Sequence, residues 1–219
     1  MKLRFAKNWL PLPRYLAATL ICLTSICSLP NAVASTEALN IDSLAAMFNE
    51  TSPTHGSFEQ QKNMSVLTLP LNSNGVYFVD PGKTIVWQQL QPFTQTTLIQ
   101  NGELTQLVNG EVQPSNQAAA SDMVSEMIMA LFSGNWQQLT QDFAFKISGD
   151  KSNWQAELTP TSGAMAKVFK AIYIQGLDTH IRRISLHEHS GDSTNISLEA
   201  DDASELPASI ERVLKLAAH

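Results

Sequence analysis

Three Asn-Gly dipeptides, Asn74-Gly75, Asn101-Gly102 and Asn109-Gly110, fall within 37 residues of a 219-residue chain. Both residue types tolerate positive φ, so Asn-Gly between apolar runs is the strongest short-range hairpin signal. The runs around them extend with a period of two. Val76-Tyr77-Phe78-Val79 and Ile85-Val86-Trp87 flank a further turn at Asp80-Pro81-Gly82, and Thr96–Gln100 precedes Glu103–Val108. A stretch of this kind is constrained to an antiparallel meander. Upstream, Phe58 to Leu69 reads as extended, with Pro70 ending it. Downstream, apolar residues alternate in Phe143/Phe145/Ile147, Trp154/Ala156/Leu158, Ile172/Ile174, Ile184/Leu186 and Ile196/Leu198, with turns expected at Gly149-Asp150 and Gly191-Asp192. About ten or eleven short strands result.

Helices are few. Ile41, Leu44, Ala45 and Phe48 lie on one helical face within roughly 37–49, and Thr51-Ser52-Pro53 stops that helix. Met123, Val124, Met127, Ile128, Leu131 and Phe132 form an apolar stripe on a second helix, which Ser121 or Asp122 can cap and Gly134 can end. Pro207 opens a last short helix carrying Ile210, Val213 and Leu214. The expected fold class is mainly β (α+β). A single long antiparallel sheet accumulates twist and must curl. Two or three helices are too few for a separate layer, so they are expected to cover its concave apolar face. A curled sheet with a helical cover encloses an apolar cavity, where such folds hold hydrophobic ligands. Three methionines in the second helix, Met123, Met127 and Met129, suit an adaptable apolar surface, although an apolar stripe is more often ordinary core.

The net charge of −6 averages two unlike pieces. Lys2, Arg4, Lys7 and Arg14 precede every acidic residue, and all twenty acids lie beyond position 35. Without the front piece the chain has ten basic against twenty acidic residues, a net charge of −10. That balance argues against a nucleic-acid partner, which needs clustered Lys and Arg. The basic start, the apolar Tyr15–Leu29 and the small-x-small Ala32-Val33-Ala34 together read as an export signal over 1–34, cleaved after Ala34. Its apolar part spans about 15 residues, short of the roughly 20 needed to cross a bilayer. Both cysteines, Cys22 and Cys27, lie inside it. The remaining domain, 35–219, is therefore expected in the periplasm as a monomer without disulfides, thiolate nucleophile or cysteine metal ligand.

No catalytic constellation emerges. There is no GxSxG elbow, HExxH, P-loop or GxGxxG between a strand and a helix. His187 and His189 share a strand face, but spacing supplies no third metal ligand. His55 and His180 read as isolated, and Asp201-Asp202 as a solvated turn. The expectation is a non-enzyme with no cofactor, no metal and no catalytic residue.

An export signal and a helix precede Phe58-Glu59-Gln60-Gln61, and Gly75-Val76-Tyr77-Phe78, Asp80-Pro81 and Trp87 follow in succession, then Gln100-Asn101-Gly102-Glu103 and the Phe143–Pro160 hairpin. In the order and spacing of these motifs the chain resembles the LolA family of periplasmic outer-membrane lipoprotein carriers. Family-motif positions are thus Phe58, Gln60, Gly75, Asp80 and Pro81, and the likeness covers most of residues 37–200. It implies an unclosed β-barrel with a helical lid over an acyl-chain cavity. One position departs: the family has Arg where this chain has Asp80. That Arg donates to lid carbonyls, and a carboxylate cannot. Two segments, Leu131 to Trp136 and Ser190 to Ser193, look more like a LolA-related offshoot, so the cargo can be an acylated lipoprotein or a glycolipid. The resemblance implies an inner-membrane donor complex and an outer-membrane acceptor. Phe78, Trp87, Met127, Leu131 and Phe132 are the expected cavity residues. A sensor or adaptor of the same fold, binding without transfer, is the alternative.

Overall fold

Asn40 starts the first helix by reciprocal capping. Its Oδ1 accepts the Ser43 N–H at 2.9 Å, while Ser43 Oγ accepts the Asn40 N–H at 2.9 Å, satisfying two donors that a helix start leaves open. Helix α1 (Ile41–Asn49) then buries Leu44, Ala45 and Phe48. In this computed structural model the residues described are 39–49, 52–100, 103–113, 127, 130–161, 163 and 165–217. The expected export signal, the first residues of the expected helix 37–49, and Met123, Val124, Ile128 and Met129 lie outside them. The compact unit Thr36–His219 holds the entire described sheet and every described helix.

Eleven strands make one antiparallel sheet. In chain order they are β1 (Thr54–Asn63), β2 (Leu71–Asp80), β3 (Thr84–Gln91), β4 (Gln95–Gln100), β5 (Glu103–Val108), β6 (Glu111–Val112), β7 (Phe143–Asp150), β8 (Asn153–Pro160), β9 (Phe169–Leu177), β10 (His180–Glu188) and β11 (Ser193–Ala200). The spatial order β6-β5-β4-β3-β2-β1-β11-β10-β9-β8-β7 is two meanders joined where β1 pairs with β11. The order does not close, so β6 and β7 are edges. Among the described residues the other helices are α2 (Trp136–Leu139), α3 (Met165–Val168) and α4 (Ala208–Ala217), with helical backbone also at Met127 and at 130–132. Among the described residues no helix is long and apolar enough to cross a membrane.

Turn chemistry explains most of the register. Asn109 and Gly110 both take positive φ, 53° and 86°, and join β5 to β6. Asn101-Gly102 is outside the described residues, but Gln100 pairs with Glu103 across it. The Lys83 N–H bonds the Asp80 carbonyl at 3.0 Å and closes the β2–β3 turn.

Three local expectations differ from the structure. Asn74-Gly75 is not a turn: it lies inside β2, at a register shift against β3. Gly75 is instead required by contact, since an added Cβ would lie 2.0 Å from the Gln88 carbonyl oxygen. The extended stretch stops at Asn63, and residues 64–70 form the β1–β2 connection. Gly149-Asp150 ends β7 rather than turning; the turn follows at 151–152. There the Asp150 carboxylate accepts the Ser152 hydroxyl at 2.6 Å and the Ser152 and Asn153 amides, which hold it below the usual carboxylate range.

Candidate functional site

Alternation gives the sheet two faces, and both carry apolar clusters. The larger takes Phe58 from β1, Tyr77 and Val79 from β2, Ile85 from β3, and the buried apolar side chains of β7 to β11 that alternate in the sequence. Leu44 and Phe48 of α1, then Met127, Leu131, Phe132, Trp136 and Leu139, lie against it. The smaller joins Val86, Leu98 and Leu107 of β3–β5 to Ile210 and Val213 of α4. The last helix therefore packs on the other face of the sheet, not with α1. The reason is legible in Ile85-Val86 and Leu98-Ile99, adjacent apolar pairs that make these strands apolar on both sides. The apolar stripe of α4 fits the second patch.

The larger cluster is held by two runs of aromatic rings. In one, Trp136 lies 5.6 Å from Phe48 and 5.6 Å from Trp154, with Phe48 and Trp154 5.8 Å apart. In the other, Phe58 stacks on Trp87 with ring centroids 3.9 Å apart, Trp87 lies 6.3 Å from Tyr77, and Tyr77 lies 6.1 Å from Phe132. Apart from the closer Phe58–Trp87 stack, these separations fall in the attractive range for ring pairs. A hydrogen bond from the Gln137 side chain to Asp42 ties α2 to α1. The Trp136 indole N–H is buried without a hydrogen-bond partner among the described residues. At the junction of Phe48, Tyr77, Pro81, Phe132 and His180 a cavity of about 20 Å³ remains.

Four of the five expected cavity residues, Trp87, Met127, Leu131 and Phe132, come together in this cluster. Phe78 does not; it packs with Val76 against the opposite cluster under α4. The register decides this. Tyr77 pairs with Trp87 while Phe78 pairs with Val86, so Tyr77 is the inward aromatic. Phe48, Tyr77, Trp136 and Trp154 are interior residues that the expected set lacks. Trp154 was visible in its alternation with Ala156 and Leu158, whereas the parity of Tyr77 needed the exact length of the Asp80–Thr84 turn.

The family-motif positions fall into a physical pattern. Phe58 sits opposite Gly75 on the neighbouring strand, and the missing side chain there leaves room for its ring to reach Trp87. Gln60 is half-buried on β1. Asp80 accepts Lys83 Nζ at 3.2 Å within its own turn, and Pro81 borders the small cavity.

A polar group borders that same cavity. His180 Nε2 lies 2.8 Å from Asp202 Oδ2, and the other Asp202 oxygen accepts the Thr54 hydroxyl. His55 Nε2 lies 3.3 Å from Ser204 Oγ. Neither histidine is isolated, and Asp202 is more than a solvated turn residue; the turn at 201–204 folds back onto β1 and β10. Partial burial works to raise the Asp202 carboxyl, but hydrogen bonds from Thr54 and His180 outweigh it and hold it below the usual range. Burial, then the Asp202 charge, pushes the Tyr77 hydroxyl up to about 12, with Arg182 acting the other way. A lowered carboxyl pKa means that the contact stabilises the fold above the ordinary carboxylate range and is lost as pH falls through the folded-state value. Asp202→Ala is thus expected to lower Tm by no more than about 4 °C near neutral pH, because an exposed pair contributes under about 1 kcal/mol. Thermal melts of both chains should converge on acidification; a gap that widens there contradicts the assignment. His187 lies 5.6 Å from the Tyr173 ring, and His189 follows β10 in a turn. Among the described residues no group of His, Cys, Asp or Glu is placed to hold a metal.

An open antiparallel sheet with a few helices and an apolar cluster on each face defines a mainly β class of protein. A family model described as outer membrane lipoprotein carrier protein LolA-like matches residues 33–216, and the chain belongs to that family. Among solved structures it is similar to a LolA superfamily protein from Nitrosomonas europaea, at 10% identity over 79% of this chain and 97% of that one, with a TM-score of 0.46. A domain named for outer membrane lipoprotein sorting, from Vibrio parahaemolyticus, shares 11% identity over 80% of this chain and 97% of its own, with a TM-score of 0.43. The Pseudomonas aeruginosa MucA/MucB complex gives 11% identity, 78% and 58% coverage and a TM-score of 0.36. No curated protein matches the chain.

Proposed function

We propose that the protein is a periplasmic carrier that takes up the acyl chains of a lipoprotein or another lipid between the sheet and its helical cover, then passes them from inner to outer membrane. The observation that carries this reading is the covered apolar face, in a chain of the lipoprotein-carrier family. Acyl burial is worth about 0.8 kcal/mol per CH₂, so a 16-carbon chain represents about 12 kcal/mol and cannot cross water alone. A soluble carrier needs only a comparable, weaker site. Trp87, Met127, Leu131 and Phe132 would contact the chain, joined by Tyr77 and Phe48 from facing elements.

The cavity beside Tyr77 and Phe132 holds only about 20 Å³, so a chain entering there would need the cover to move away from the sheet. Asp80, paired with Lys83, cannot hold lid carbonyls as the family Arg does. The Gln137–Asp42 bond joins two helices of the cover, and the contacts of Phe132 with Tyr77 and of Phe48 and Trp136 with Trp154 hold it to the sheet. Solvent extraction of the purified protein followed by mass spectrometry is expected to release a lipid, and the emptied protein is expected to take up a fluorescent fatty acid. Absence of both results would refute the carrier.

A further inference from the structure

Beyond the interior, one loop stands out. Residues 64–70 join β1 to β2, and Val66, Leu67, Leu69 and Leu71 are 79%, 46%, 76% and 53% exposed. Contiguous apolar side chains displayed to water in this way mark an interaction site. The loop is held in shape. The Asp192 carboxylate accepts the Ser65 N–H at 2.8 Å, and that bond heads the causes keeping the carboxyl below its usual range. The Leu67 N–H bonds the Met64 carbonyl at 2.9 Å. These side chains are therefore presented by ordered backbone.

Charge and position favour one kind of partner. The sequence has no charged residue from Asn63 to Val79, and none from Thr84 to Gly102. Antiparallel pairing puts the β3–β4 turn at the same end of the sheet, where Leu90 is 41% and Phe93 56% exposed. A pocket on a protein partner selects Trp, Tyr and Arg as anchors, whereas Leu and Val are under-represented in such hot spots. Side chains more than three-quarters exposed at a loop tip do not line a groove. An uncharged aliphatic tip matches hydrocarbon, which demands no complementary shape.

We infer that the β1–β2 loop is a membrane-contact element that inserts Val66, Leu67, Leu69 and Leu71 into a zwitterionic bilayer, with Phe93 alongside. The four side chains carry about as many carbons as one myristoyl chain, which anchors only marginally and reversibly. The contact is therefore brief, as suits a protein that must leave the surface again. The excess of acidic residues elsewhere gives no attraction to anionic lipid, so insertion rather than charge supplies the binding.

The test uses Thr36–His219, the compact unit that holds the whole sheet, so that the apolar stretch before it cannot bind vesicles itself. Flotation with phosphatidylcholine vesicles is expected to carry the unit upward, and equally in 1 M NaCl because salt screens charges and not insertion. Val66→Glu with Leu69→Glu should reduce the floated fraction by about tenfold or more. Leu177→Glu, on an exposed side chain at the opposite end of the sheet, should leave it unchanged. Circular dichroism reports whether each variant keeps its fold, and Val66, Leu69 and Leu177 are all exposed enough to accept a charge. The loop variant should still take up fatty acid from detergent, which separates this contact from the carrier reading. No flotation, flotation that survives the loop substitutions, or flotation only with anionic vesicles at low salt overturns the inference. So does a loop variant that instead converts a dimer of the unit to monomer.

Discussion

Gly75→Ala is expected to destabilise the protein by about 3 kcal/mol, lowering Tm by roughly 6–12 °C for a domain of this size. The new Cβ would meet the Gln88 carbonyl oxygen at 2.0 Å, Gln89 Cα at 2.8 Å and Phe58 Cε1 at 2.8 Å. Two of these obstacles are backbone and cannot swing aside, so β2 and β3 must separate. The third is the ring that stacks on Trp87, so the strain passes directly into the covered face. Gly82→Ala is the contrast. Nothing lies within 4 Å of a Cβ there, but φ is +72°, so only the left-handed backbone is penalised, by roughly 1–2 kcal/mol. Urea denaturation of the two variants should rank Gly75→Ala clearly below Gly82→Ala. Equal midpoints would mean that β2, β3 and the Phe58 ring yield to the added methyl group at little cost, since Gly75 itself is not in the left-handed region.

The joint replacement Met127→Asp and Leu131→Asp is expected to abolish fatty-acid uptake while far-ultraviolet circular dichroism remains β-rich. Met127 is 1% and Leu131 0% exposed. Burying an unpaired carboxylate costs several kcal/mol, so two of them drive that segment off the sheet. The strands keep their ladder hydrogen bonds, and α4 still covers the other face. A chain lying on an uncovered face is buried on one side only. Losing half of about 12 kcal/mol weakens binding by about four orders of magnitude. Uptake that persists with a detached cover would show that the lipid lies elsewhere. Loss of the β signal would show that the segment is needed for the sheet itself. Phe78→Ser serves as a companion, because Phe78 packs under α4. It should reduce stability without removing the uptake site.

These two variants also show where the sequence was legible. Strand runs, the inward alternation of Trp154, Ala156 and Leu158, and the Asn109-Gly110 turn follow from preferences that act over a few residues. Asn74-Gly75 has the same composition as a hairpin turn, yet it lies within β2. A bulge and a turn ask for the same small, permissive residues, so composition alone does not separate them. Phe78 and Tyr77 are adjacent, and a shift of one residue exchanges the faces of a strand. Trp87 pairs with Tyr77 only because the β2–β3 turn has its particular length. The short helix Trp136–Leu139 carries too few residues for a helical period, although its two buried side chains, Trp136 and Leu139, are central to the cover.

The amino-acid sequence by itself determined the antiparallel class, the approximate number of strands, the helix carrying Ile41 to Phe48 and the family, since each depends on local backbone preference or on motif order. Tertiary structure alone decided the rest. It paired β1 with β11 to join the meanders, set α4 on the face opposite α1, gathered Phe58, Gly75 and Trp87 into one contact, and brought His180 to Asp202 and Thr54. It also left Val66 and Leu69 facing water, although their composition reads as the continuation of a strand. The physical reason is range. Preferences in φ and ψ act within a few residues, whereas the face of a side chain, its burial and its distant partner are set by the register of the whole sheet and by what packs upon it.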